Sequence, residues 1–150
     1  MHLKGNWFVI VGYGMVAACT QLLWLTYAPI TTKAADYFGA SEEAIGTLSI
    51  IFPLIYVVLA IPCGLFLDRM LRPALALGAV LTTFGGIIRV FGEASYETAV
   101  VGQVIVSIGQ PLVLGAITAL CVHYLPKDER AKGIAFGSAA LFMGMLVAFV

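Results

Sequence analysis

Four stretches of this 150-residue chain, 5–32, 44–67, 98–126 and 133–150, contain no Asp, Glu, Lys or Arg, and a fifth, 73–92, contains only Arg89. Each approaches or exceeds the roughly 20 residues with which an α-helix crosses the hydrocarbon core of a bilayer. Lipid offers no hydrogen bonds, so a backbone in that core must satisfy itself as a helix or a closed barrel. Barrel strands would be about 10 residues of alternating polarity, and these runs are too long and too uniformly apolar for that. The chain therefore reads as an all-α integral membrane bundle with spans at about 7–30, 44–67, 73–91, 98–124 and 132–150. Composition agrees, with 11% charged residues against the roughly 25% of a soluble domain. A soluble enzyme, a nucleic-acid binder and a disordered chain are excluded.

Local punctuation fits helices. Ser41-Glu42-Glu43 forms a capping start for the second span, Pro73 stands where a first helical turn tolerates proline, and Pro126 closes the fourth. Lys4, Arg69, Arg72, Lys127, Arg130 and Lys132 fall on one side of the membrane, and only Lys33 and Arg89 on the other. The excess of basic residues marks the cytoplasmic side, so the N-terminus is expected there, with the plasma membrane as the location. Val16-Ala17-Ala18-Cys19 has the look of a lipoprotein cleavage site. The apolar run continues to Ile30, however, which is too long for a signal peptide. Cys19, Cys63 and Cys121 are isolated and His2 and His123 far apart, so the cysteines are expected to pack as small apolar residues, with no metal or other cofactor.

Three spans carry an aligned polar or small-residue face, which a mere anchor does not need. Tyr13, Ala17, Thr20, Trp24, Tyr27 and Thr31 recur at helical spacing in the first, with Gln21 at the edge of the stripe. The second aligns Ser49, Pro53, Tyr56, Ala60 and Gly64, and the fourth aligns Gln103, Ser107 and Gln110 beside a Gly102, Gly109, Ala116 strip suited to close packing. A glutamine buried in lipid is costly unless paired or wetted, so Gln103 and Gln110 face either a partner helix or a cavity. Pro111 is expected to bend the fourth helix near Gln110. An aromatic face opposite an amide suits an organic cation or a flat ligand. Arg89, a few residues from its helix end, is expected to snorkel to the headgroups with Glu93 as partner. No carboxylate lies at mid-membrane in any span.

Gly64-Leu65-Phe66-Leu67-Asp68-Arg69-Met70-Leu71-Arg72-Pro73 resembles the signature loop of the major facilitator superfamily, Gly-x-Leu-Ala-Asp-Arg-x-Gly-Arg-Arg/Lys. Gly64, Asp68, Arg69 and Arg72 match, whereas Leu71 replaces a glycine and Pro73 a basic residue. Gly64 would admit a neighbouring helix, and Asp68 would cap that helix and pair with an arginine. The resemblance places that neighbour in the other half of a transporter, as a latch that breaks on opening. Pro126-Lys127-Asp128-Glu129-Arg130-Ala131-Lys132-Gly133 is similar to a second superfamily loop and adds Glu129 and Arg130 to the latch. Within the superfamily, Trp24-Leu25-Thr26-Tyr27, Val101-Gly102-Gln103 and Gly109-Gln110-Pro111 resemble the haem/choline-exporter-like branch related to the feline leukaemia virus receptor.

These resemblances imply the N-terminal helical bundle of a secondary transporter that moves a small organic solute, of the quaternary-amine or haem-like class, by alternating access. Gln21, Trp24, Tyr27, Gln103 and Gln110 are the expected substrate contacts. Five spans of an expected twelve imply a fragment whose partners are the bilayer, the solute and a missing C-terminal half. The alternative is a small self-associating membrane protein acting as an oligomeric exporter or assembly subunit. An enzyme is not expected, because no His, Asp or Ser-His set converges.

Overall fold

The computed structural model describes residues 5–91 and 94–150. Lys4, counted among the inner basic residues, and Glu93, expected beside Arg89, lie outside them. Among the described residues, five helical segments are long and apolar enough to cross a membrane. The first is interrupted: α1 (Trp7–Leu25) gives way to a single 3₁₀ turn, Ala28–Ile30, and then to α2 (Thr31–Phe38), so helix continues beyond the expected end at Ile30. Pro29 has no N–H for the carbonyl four residues back, and the last carbonyls of α1 need other donors. The Thr26 hydroxyl donates to Leu22 O at 2.7 Å, and Arg89 Nη1 donates to Leu23 O at 2.6 Å. α2 stops at Gly39, whose φ of 61° is the left-handed cap that glycine adopts without strain.

α3 (Glu42–Arg69) begins as its sequence implies, with the Ser41 hydroxyl accepting from Ala44 N at 3.2 Å. One residue, Met70, separates it from α4 (Leu71–Phe91). α5 (Tyr96–Leu114) is capped in the same way by Ser95. The fourth span then breaks at Gly115–Ala116 before α6 (Ile117–Tyr124), and α7 (Arg130–Ala148) completes the described bundle. Pro111 lies inside α5. The interruption expected at the depth of Gln110 thus falls a turn later, where Gly115 N donates back to Pro111 O at 3.1 Å.

The two helices with the polar stripes lie at the centre. α5 packs against α4 and α3, and α1 packs chiefly against α7 and also touches α5. Glycines set these distances. A Cβ on Gly85 would stand 2.7 Å from Gly102 O, and one on Gly109 would stand 2.8 Å from Gly78 O, so α4 and α5 meet backbone to backbone. Gly144 approaches Ala18 O on α1 in the same manner. Gly64 departs from its expectation, for a Cβ there would meet nothing within 4 Å. The face of α3 that carries Val57, Val58 and Ile61 is likewise exposed. Cys121 is buried, Cys63 half-buried and Cys19 exposed.

Candidate functional site

Within the bundle, Gln21 and Trp24 of α1, Phe52, Pro53, Tyr56 and Val57 of α3, Gln110 and Leu114 of α5, and Met145 of α7 line a cavity of about 260 Å³. Its aromatic wall is held rigidly. Trp24 stacks on Phe52 with ring centroids 5.3 Å apart and planes 6° apart, and its indole N–H donates to Ser49 O at 2.9 Å. That hydrogen bond and that stacking hold Trp24 against α3. The amides are in the opposite condition. Gln21 is 1% exposed, and neither its nitrogen nor its oxygen has a hydrogen-bond partner. Gln110, 4% exposed, has an unpartnered Oε1. Unpaired buried amide atoms cost on the order of 1–3 kcal/mol each, and three of them belong to residues lining this cavity.

The structure does not bring all five expected contact residues together. Gln103 is fully buried away from this cavity; its amide nitrogen donates to Leu48 O at 3.0 Å and Trp24 O at 3.4 Å, and its Oε1 has no partner. It ties α5 to α3 and α1. Ser107 is similarly occupied, donating to Gln103 O at 2.6 Å. Tyr27 lines a different pocket near the far end of the bundle, where the Arg89 guanidinium lies 4.5 Å over its ring and Arg89 Nε donates to its hydroxyl at 3.4 Å. Near its helix end, Arg89 is thus held against the end of α1. Its side chain turns inward, because the interrupted α1 presents free carbonyls at the negative end of its dipole and an aromatic face beside them.

At the basic end, Asp68, Arg69 and Arg72 line a cavity of about 620 Å³ between the α3–α4 turn and α6, with His123 on its far wall. Arg72 Nε donates to the Tyr124 hydroxyl at 2.8 Å. Asp68 stays exposed at the turn. Glu129 and Arg130 stand apart from this group. Glu129 Oε2 accepts from the Trp7 indole at 2.6 Å, and Arg130 donates to Val122 O at 3.0 Å and Leu125 O at 3.3 Å, closing the end of α6. Five of the six expected latch residues thus form two arrangements, an open cavity around Asp68 and a closed tie between α1, α6 and α7. Gly64, open on its outer face, belongs to neither.

A family model described as Major Facilitator Superfamily matches residues 9–150. The chain belongs to the major facilitator superfamily. It is 29% identical to an uncharacterised transporter of this type from Caenorhabditis elegans over 98% of the chain and 26% of that relative. It is 29% identical to solute carrier family 49 member A3 of Danio rerio over 97% of the chain and 32% of that protein. It is 23% identical to the choline/ethanolamine transporter FLVCR2 of Homo sapiens over 98% of the chain and 28% of the relative. The chain spans about a quarter to a third of the length of these relatives.

With this superfamily bundle in view, six cavity residues, Phe52, Pro53, Tyr56, Val57, Leu114 and Met145, stand beyond the expected contacts. Tyr56 and Pro53 were visible as members of the α3 stripe. Val57, Leu114 and Met145 carry no such signal, since an apolar residue in an apolar helix looks the same facing lipid or cavity.

Proposed function

We propose that this chain is the N-terminal bundle of a secondary transporter for a small organic cation of the quaternary-amine class. The observation that carries the reading is the cavity between α1, α3 and α5, where the unpartnered amides of Gln21 and Gln110 stand beside the rigid Trp24–Phe52 stack and Tyr56. An ammonium whose substituents block conventional hydrogen bonding binds through aromatic faces, and amide oxygens add the negative ends of their dipoles. Neither lining nor neighbouring turns supply a carboxylate, so such a cation would be held by quadrupoles and dipoles alone. The volume suits a small amine better than a haem-like macrocycle. That FLVCR2, among the relatives, is named for choline and ethanolamine transport supports the same class.

Alternating access needs a second set of helices to close over the cavity. The exposed face of α3 and the open surface at Gly64 offer the place for that half, with Asp68 and Arg72 at its basic end. In this reading the basic end is cytoplasmic, in the plasma membrane, and Asp68 breaks and remakes its contact with the second half as the cavity changes sides. Choline uptake into liposomes that hold the full-length protein tests the proposal. Trp24→Ala and Gln110→Ala should each lower uptake at least about tenfold, the loss of one desolvated cation–π or amide contact. Unchanged uptake in both variants would remove the amine assignment.

A further inference from the structure

A second pocket, of about 390 Å³, opens at the end of the bundle opposite the basic loops. It is lined by Tyr27, Ile30, Lys33, Tyr37, Phe38 and Arg89, together with Ala34. Both charged residues in this lining are cations. One of them is rigid: the Arg89 guanidinium lies over the Tyr27 ring, Nη1 donates to Leu23 O and Nε to the Tyr27 hydroxyl, and among the described residues Nη2 has no acceptor. The other, Lys33, is exposed on the first turn of α2 and free to swing. A planar fork held in place beside a mobile ammonium is the pairing that suits a phosphate.

Depth and surroundings narrow the source of that phosphate. α4 has 21 residues, about 30 Å at 1.5 Å per residue, which is the thickness of the hydrocarbon core. Arg89, two residues from its end, therefore lies at the level of the headgroups. Ile30 and Tyr37, on the same pocket wall, are 42% and 68% exposed and apolar enough to lie along an acyl chain. We infer that this pocket is a phospholipid site, in which Arg89 and Lys33 hold the headgroup phosphate and Ile30 and Tyr37 flank the upper acyl chain. The bound lipid would brace the interruption between α1 and α2, because Arg89 also holds the free carbonyl of Leu23.

Native mass spectrometry of the full chain, released from detergent after incubation with defined lipids, tests the site. Dioleoyl phosphatidylglycerol should be retained in preference to monogalactosyl diacylglycerol, which has the same chains and no phosphate. Lys33→Gln, an exposed change that leaves the fold alone, should weaken retention about fivefold, the usual contribution of one basic residue at a lipid surface. Arg89→Lys should also weaken it by removing the fork. Equal retention of the galactolipid would reduce the pocket to an apolar groove and overturn the inference. Displacement by glycerol 3-phosphate at matched concentration would mark a site for a soluble phosphate instead. Unchanged retention in Lys33→Gln would place the lipid elsewhere. Retention that appears only after Glu93→Gln would show the cations occupied by a carboxylate, and would also overturn it.

Discussion

Gln103 and Gln110 lie two turns apart on one face of α5, both almost fully buried, and their surroundings are opposite. Around Gln103 the bundle is closed. Its amide nitrogen donates to carbonyls of α3 and α1, although its Oε1 is unpartnered like that of Gln110, the neighbouring Gly102 meets Gly85 on α4, and Arg89 packs over that contact. Around Gln110 the bundle is open. Its oxygen and both polar atoms of Gln21 face a cavity without partners, although the aromatic rings beside them are fixed. One side chain therefore ties helices together through its nitrogen in one place and lines a cavity in the other. What separates them is the facing helix. α3 offers Gln103 the carbonyl of Leu48, whereas it offers Gln110 the ring of Tyr56 and a gap.

The largest expected effect lies in the closed region. Gly85→Val forces a side chain into the backbone of α5 and should destabilise the protein by about 3 kcal/mol or more, the upper range for overpacking, read as a loss of folded protein in detergent thermal unfolding. Gln103→Leu removes the two interhelical hydrogen bonds of one amide nitrogen and should cost about 1 kcal/mol, seen as a lower unfolding temperature. Gln110→Leu should be neutral or raise the unfolding temperature, because it exchanges an unpaired buried amide for an apolar side chain of similar size. Gly64→Ala, on the open face of α3, should change stability by less than about 0.5 kcal/mol. A destabilisation there comparable to that of Gly85→Val would mean that the face is already covered by close packing.

Much of this arrangement was legible in the residues, and the remainder has physical reasons for being hidden. Charge-free runs show spans because a charged side chain in hydrocarbon is costly whatever the neighbours are. The stripes on α1 and α5 proved to be inward faces, with Tyr13, Ala17, Thr20, Gln103 and Ser107 at 3% exposure or less. The strip Gly102, Gly109 showed that α5 makes a close contact, but its partner, the equally spaced Gly78 and Gly85 of α4, is visible only once the helices are paired. The interruptions were harder to read. Pro29 and Pro111 signal lost hydrogen bonds, yet the breaks fall at Thr26–Tyr27 and Gly115–Ala116, where free carbonyls find Thr26, Arg89 or a neighbouring backbone N–H. The separate roles of Gln103 and Gln110 were not readable at all, since both are glutamines at the same register. Glu129 and Arg130 resembled part of one latch with Asp68, but the short turn after α6 directs them to Trp7 and to the carbonyls of α6.

The central claim is that the open half of α5 faces a ligand and the closed half holds the bundle. Thermal unfolding of the full-length protein with and without saturating choline, in Gln103→Leu and Gln110→Leu side by side, tests it most directly. Gln103→Leu should unfold at a lower temperature than the parent and keep the stabilisation by choline. Gln110→Leu should unfold no earlier than the parent and lose that stabilisation. Two variants that fall together in intrinsic stability while both keep the response to choline would contradict the account.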